Sequence, residues 1–164
     1  MIKSRQHLNI TCGTCAVANL CLPHTLDTEE QDKLNSIITN VYSFDSHEYV
    51  YSQEQDFKYL YAVYSGACKE HKLNEEGDEV INGFYFPGDI IGLESIALKK
   101  YSFTVETLQA AKLCAIPYEA LLKLMDEYPQ INRRFINITS YKMQNSQFIP
   151  MTTNARSRTA AFFN

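Results

Sequence analysis

Five cysteines occur in the chain of 164 residues, and three of them crowd into one short stretch: Cys12, Cys15 and Cys21, in the pattern C-x₂-C-x₅-C. A segment of this length has no core of its own. Thiolates at these separations reach one small inorganic centre without straining the backbone, and such a centre supplies the order that burial cannot. Three chemistries fit the spacing. Structural zinc uses four thiolates, usually as paired C-x₂₋₄-C knuckles, and here there is one knuckle and a single. An iron–sulfur cluster tolerates irregular spacing because its ligands reach separate corners. A reactive dithiol at Cys12 and Cys15 would leave Cys21 idle.

A fourth ligand would come from Cys68 or Cys114, although an isolated cysteine in a strand is ordinarily a small buried hydrophobe. Cys114 stands just before a strand-to-helix corner, where its side chain can face an N-terminal segment. Cys68 follows Gly66 and Ala67 in what should be a mid-sheet strand, and is read as structural. His7, His24, His47 and His71 show no metal-binding spacing among themselves and read as solvated surface residues.

The elements that must position these thiols follow from periodicity. Asp27 or Thr28 can cap a helix, and Asp27 with Glu30 has capping-box spacing. Leu34, Ile37, Ile38 and Val41 then form one apolar stripe, which predicts a helix over residues 28–40. From residue 41 to Pro117, short runs of Val, Ile, Tyr and Phe alternate with Gly and Asp turns. Strands are expected at 42–44, 48–51, 59–65, 67–73, 79–85, 90–93, 102–108 and 112–116, as in a sandwich, roll or jelly roll. Residues 74–77 join two of them as a hairpin loop, with Gly77 where positive φ is needed.

Pro117 is expected at the first position of a short helix over 118–125, and Pro129 opens a longer one over 130–149. The longer helix has two apolar stripes. Ile131, Phe135 and Ile138 form one; Ile136, Thr139, Met143 and Ser146 form the other. A β-domain buries one side of a helix, so the second stripe suits a copy of itself across a two-fold. Residues 151–164 look like a further helix that stops in mid-pattern, as in a truncated domain or a natural fragment.

Composition narrows the function. With 45% apolar residues, eleven Tyr and nine Phe, the chain is a globular protein, and its net charge of −4 without a basic run gives no footprint for nucleic acid. There is no apolar run of membrane-spanning length and no secretory h-region behind the basic N-terminal residues. Clustered cysteines with no signal sequence point to the cytoplasm. No nucleophile–base pair or phosphate-cradling glycine loop suggests an enzyme.

The three-cysteine pattern is followed by Pro23, Thr25 and Leu26, and then by Leu60-Tyr-Ala-Val-Tyr-Ser-Gly66, Glu76-Gly-Asp-Glu79, Gly83-Phe84, Pro87-Gly-Asp-Ile-Ile-Gly92 and Cys114-Ala-Ile-Pro117. Asn154-Ala155 and Ala160-Ala-Phe162 continue it. Over essentially its whole length the chain resembles the FNR (fumarate and nitrate reduction regulator) branch of the CRP/FNR transcription regulators. That resemblance implies a mainly β fold: a double-stranded β-roll of the cyclic-nucleotide-binding jelly-roll type, with an N-terminal cluster arm and helix and a long C-terminal dimerisation helix. The corresponding divisions are an arm at 1–25, a roll at 26–127, the dimerisation helix at 128–150 and the start of a linker or DNA-binding domain at 151–164.

The resemblance further implies that Cys12, Cys15, Cys21 and Cys114 hold a [4Fe–4S] cluster, whose conversion by oxygen loosens the dimer and releases DNA. It implies a homodimer, or a heterodimer with a full-length relative, through Ile136, Thr139, Met143 and Ser146. Relatives commonly carry an acid where Ser146 stands, so dimerisation here is expected to lean less on the cluster. Gly77 and Asp78 match a loop that touches RNA polymerase, and the helix-turn-helix that reads DNA would follow residue 164. The wider superfamily binds a cyclic nucleotide through a Glu and an Arg-Ser pair. Leu93 and Tyr101-Ser102 stand there instead, so a cyclic nucleotide loses its main anchor, although Glu94 lies one residue away. The alternative is an effector-binding module with zinc or no metal at the cysteines.

Overall fold

The computed structural model describes residues 10–38 and 40–146, with the side chains of Asn145 and Ser146 outside that description. Helix α1 (Thr28–Ile37) begins with the expected capping box: Asp27 Oδ1 accepts the Glu30 N–H at 2.8 Å, and Glu30 Oε2 accepts the Asp27 N–H at 3.0 Å. It ends short of residue 40 because Ile38 is already extended, with ψ 99°, to feed the first strand. Val41 therefore lies in a strand and does not continue the helical stripe.

Eight strands follow: β1 (Asn40–Phe44), β2 (Tyr49–Tyr51), β3 (Tyr59–Ser65), β4 (Cys68–Leu73), β5 (Glu79–Tyr85), β6 (Ile90–Ile91), β7 (Thr104–Thr107) and β8 (Ala111–Pro117). All eight expected strands are present. They form two antiparallel four-stranded sheets, ordered β1-β8-β3-β6 and β2-β7-β4-β5. The fold is mainly β, with the jelly-roll architecture expected. β6 is shorter than anticipated because Gly92 turns left-handed, at φ +95°, and opens a 3₁₀ turn at Leu93–Ser95.

The core lies between the sheets, where Leu60, Val63, Ile91, Val105 and Leu113 are fully buried. Tyr101 is also inside. Its ring stacks on Tyr51 at 3.7 Å between centroids, and its hydroxyl donates to the Tyr59 carbonyl at 2.8 Å.

Strand β8 is central, hydrogen-bonded to β1 on one side and β3 on the other, and its Cys114 lies opposite Val41 and Ala62. Period-2 alternation gives it two roles. Ala111, Leu113 and Ala115 are buried toward the core, while Cys114 and Ile116 occupy the opposite face, beneath the N-terminal segment.

Pro117 caps α2 (Tyr118–Glu127) from the last strand position, with ψ 118°, and does not occupy the first helical turn as expected. Helix α3 (Pro129–Ser146) does begin on its proline. Ile131 is fully buried, and Phe135 and Ile138 pack against the core, as the first stripe requires. On the second stripe Ile136 and Met143 are 57% and 61% exposed. Residues 147–149 and the expected tail helix at 151–164 lie outside the described residues.

Candidate metal centre

The N-terminal arm is a string of turns. A 3₁₀ turn at Cys12–Thr14 is followed by main-chain bonds from Ala18 N to Cys15 O and from Cys21 N to Val17 O, both 3.1 Å. The Cys12 N–H donates to Asn35 Oδ1 of α1 at 3.2 Å. Further along, Leu20 lies directly on Gly88, where an added Cβ would stand 2.4 Å from the Leu20 Cβ. Gly88 has φ +96°, so a side chain there is strained as well as crowded. Gly88→Ala is expected to lift the arm, destabilising the domain by about 1–3 kcal/mol and raising hydrogen exchange across residues 15–24. Unchanged exchange in the arm would mean that it does not rest on this turn.

Folded this way, the arm brings its three cysteines over β8. Cys12, Cys15, Cys21 and Cys114 line one cavity of about 30 Å³, walled by Leu22, Leu34, Ile38, Ala62 and Ile116 among others. Burial pushes the Cys12 and Cys21 thiols up to about 12, and the neighbouring cysteines push the same way. Cys114 is pushed up to about 11 by burial and by Cys15. Thiolates gathered against aliphatic walls need a positive centre, since each opposes the ionisation of the others. All four are free thiols.

The donor set is pure sulfur, which suits zinc or an iron–sulfur cluster and not a hard cation. A tetrahedral zinc with bonds of about 2.3 Å needs its sulfurs about 3.8 Å apart. Among the described residues, the one trio of Cys, His, Asp or Glu donor atoms lying within 4.8 Å of one another contains no cysteine. No three of the described thiols come that close together, and the soft four-sulfur donor set fits either zinc or an iron–sulfur centre.

Cys68 is fully buried in β4, and burial alone raises its thiol to about 12. It is the packed hydrophobe the sequence suggested. His71 corrects the histidine reading: it is only 6% exposed, its ring lies tilted toward Tyr49 at 6.4 Å between centroids, and its Nδ1 has no hydrogen-bond partner. It forms the donor trio with Glu79 and Glu106. Lys69 Nζ already holds both carboxylates, at 2.8 and 3.3 Å, so the resident cation there is an ammonium.

The other candidate residues lie apart from the cysteines. Gly77 and Asp78 are exposed at the β4–β5 hairpin, where Gly77 has φ +84° and Asn74 Oδ1 accepts the Asp78 N–H at 2.8 Å. On α3, Thr139 Oγ1 donates to the Phe135 carbonyl at 2.9 Å, beside the outward-facing Ile136 and Met143. Ser146 ends that helix, and its side chain lies outside the described residues.

Sequence reasoning missed a polar layer beneath α3. A cavity of about 760 Å³ opens between the arm, β5 and α3, with Glu70, Tyr85, Arg134 and Lys142 in its wall. Glu70, 1% exposed, accepts from the Tyr85 hydroxyl at 2.7 Å and from Asn82. Lys142 Nζ donates to that same hydroxyl and stands 3.6 Å from Glu94. Burial, and then the nearby Glu94, raise the Glu70 carboxyl; Lys142 and the bonds from Tyr85 and Asn82 act against them. The available signal was a pair of cations at helical spacing on an apolar stripe: Arg134 falls between Ile131 and Ile138, and Lys142 follows Ile138 by four.

Two antiparallel four-stranded sheets and a proline-opened C-terminal helix define a roll of the cyclic-nucleotide-binding type. Residues 41–128 match the cyclic nucleotide-binding domain. The chain belongs to the cyclic nucleotide-binding domain family. It is 32% identical over 146 residues to the transcriptional activator protein Anr of Pseudomonas protegens, covering 89% of this chain and 60% of that one. It is 30% identical over 156 residues to the fumarate and nitrate reduction regulatory protein of Escherichia coli K12, covering 93% and 62%. The chain thus spans about 60% of the length of these relatives. Its fold matches the sensor domain of the transcriptional regulator DNR from Pseudomonas aeruginosa with a TM-score of 0.65 at 17% identity, over 84% of this chain and 93% of that one.

Proposed function

We propose that this chain is the oxygen- and redox-sensing part of an FNR-type transcription regulator, with Cys12, Cys15, Cys21 and Cys114 holding a [4Fe–4S] cluster that governs dimerisation through α3. The observation that carries this is the meeting of three arm thiols and one β8 thiol in a single apolar cavity. When bound, such a cluster supplies an oxygen-reactive inorganic group whose ligation ties the arm to the sheet. Cys114 offers a fixed ligand on a central strand, and Cys12, Cys15 and Cys21 offer ligands on a segment with little core of its own. Leu22 and Leu34, both buried, exclude water from the thiols.

The second stripe of α3, Ile136, Thr139, Met143 and Ser146, is the surface offered to a second copy, in a homodimer or with a longer relative. The cluster matters to that equilibrium only through its different interaction with dimer and monomer. DNA recognition, and contact with RNA polymerase through Gly77 and Asp78, belong in this reading to the full-length form. Cyclic nucleotide is not the effector: Tyr101 is committed to the core stack, and Glu94 pairs with Lys142. Among the described residues no helix is long and apolar enough to cross a membrane, which accords with a cytoplasmic regulator.

The test is anaerobic reconstitution with ferrous iron and sulfide. The expected product is straw-brown, absorbing at about 400–420 nm and bleaching in air, with dimer content followed by sedimentation. A colourless anaerobic protein carrying stoichiometric zinc would reject the cluster.

A further inference from the structure

Arg134 is a cation on the apolar stripe of α3, in the wall of the polar cavity beneath that helix. It follows Ile131 by three residues and precedes Ile138 by four, on the face that α3 turns to the roll, and it is half-buried there. Among the described residues no carboxylate pairs with it. Its Nε and Nη2 donate together to the main-chain carbonyl of Cys21, at 3.2 and 3.0 Å. The same carbonyl accepts the His24 N–H at 3.3 Å. Cys21 thus turns its sulfur into the cysteine cavity and its carbonyl to the long helix.

We infer that Arg134 is the positioning residue that couples the arm to α3, by gripping the Cys21 carbonyl only while the arm is folded. The inference rests on the proposal that a metal centre orders the arm and that α3 dimerises. Its physical basis is the geometry of guanidinium. A planar fork fixes two N–H donors against one acceptor, which a single ammonium or amide does not reproduce. Hydrogen bonds to a charged donor in a half-buried place are worth more than surface contacts, and losing the acceptor leaves the charge under-solvated against Ile131 and Ile138. When the arm is folded, the helix is held in one position on the roll. When the arm comes away, the same cation must find water, and the roll-facing side of α3 loses that restraint. Ile136 and Met143 ride on the opposite side of the same rigid helix, so the restraint is shared with the surface that meets a second copy.

The experiment compares wild type, Arg134→Gln and Arg134→Lys, each as apo protein and after anaerobic loading with ferrous iron and sulfide. Three readouts are taken: iron and sulfide per chain, hydrogen exchange over residues 16–24, and the dimer dissociation constant by sedimentation. Arg134→Gln is expected to load as much iron as wild type, yet to gain about tenfold less in dimer affinity on loading; Arg134→Lys should fall between. Full loading with an undiminished gain in Arg134→Gln overturns the coupling role. Failure of Arg134→Gln to take up iron also overturns it, since the residue would then build the site and not transmit from it. A wild type that loads without any gain in dimer affinity defeats the switch on which the inference rests, and a wild type that takes up no iron defeats the cluster itself.

Discussion

Cys114→Ser is expected to abolish the anaerobic chromophore, whereas Cys68→Ala leaves it at full strength. Both residues lie in central parts of the sheets, and both thiols are raised by burial. Only Cys114 shares a cavity with the arm. A serine at 114 keeps the β8 pairings with Val41 and Ala62 but replaces a soft ligand with a hard, protonated one that a cluster iron binds poorly. Iron per chain should therefore fall to a small fraction of wild type, with little change in apo stability. Cys68→Ala removes a sulfur from a fully buried position, at a cost of about 1–2 kcal/mol in urea unfolding, with its iron content unchanged. The opposite pattern, colour kept in the first variant and lost in the second, would assign the fourth ligand to β4.

Lys142→Met should destabilise the domain by about 2–3 kcal/mol and steepen its dependence on pH. Glu70 is buried, Glu94 is near it, and Lys142 is the cation that faces both. Removing the cation that faces a buried carboxylate typically costs more than the pair contributes, and the partial exposure of the ammonium places the loss below the fully buried range. The sign follows from proton counting. The Glu70 carboxyl is raised in the folded state, so the folded protein keeps a proton that the unfolded chain has released. Stability is then greatest below the unfolded carboxylate pKa, about 4.3, and falls as pH rises through the higher folded value. Lys142→Met removes an influence that lowers this carboxyl, so the decline extends further toward neutral pH. Glu70→Gln should flatten the profile and recover part of the Lys142→Met loss in the double variant. Equal pH slopes in wild type and Glu70→Gln would remove Glu70 from the account.

Much of this was legible because it is written in local chemistry. The Asp27–Glu30 capping box, the glycine of the hairpin at Gly77 and the proline that opens α3 each fix a short stretch by its own hydrogen bonds or torsions. Eight strands could be read from turn residues and β-branched runs. The boundaries that shifted are those set by neighbours: α1 stops at Ile37 because β1 must reach β8, and Pro117 finishes a strand before it caps a helix.

The cysteine site was half legible. Spacing singles out Cys12, Cys15 and Cys21, but no local rule ties them to a residue nearly a hundred positions away. That step came from resemblance, and the fold then places Cys114 beside them. The polar layer left only a faint trace in the sequence. Glu70 shares the inward face of β4 with Cys68, two residues before it, and a register irregularity between Glu70 and His71 turns His71 inward as well. On α3 that trace is Arg134 and Lys142, set at helical spacing from Ile131 and Ile138.

The two-faced strand β8 has a consequence for recovery. Its inner face is locked into the roll by Leu113 and Ala115, so Cys114 keeps its place whether or not the arm is folded. The other three thiols are tethered close by, through buried Leu26 and the capped start of α1. Reassembly is then an intramolecular search over a few residues against a standing template, at high effective concentration. On the proposed reading of the four thiols, such a domain would be emptied and refilled without passing through global unfolding.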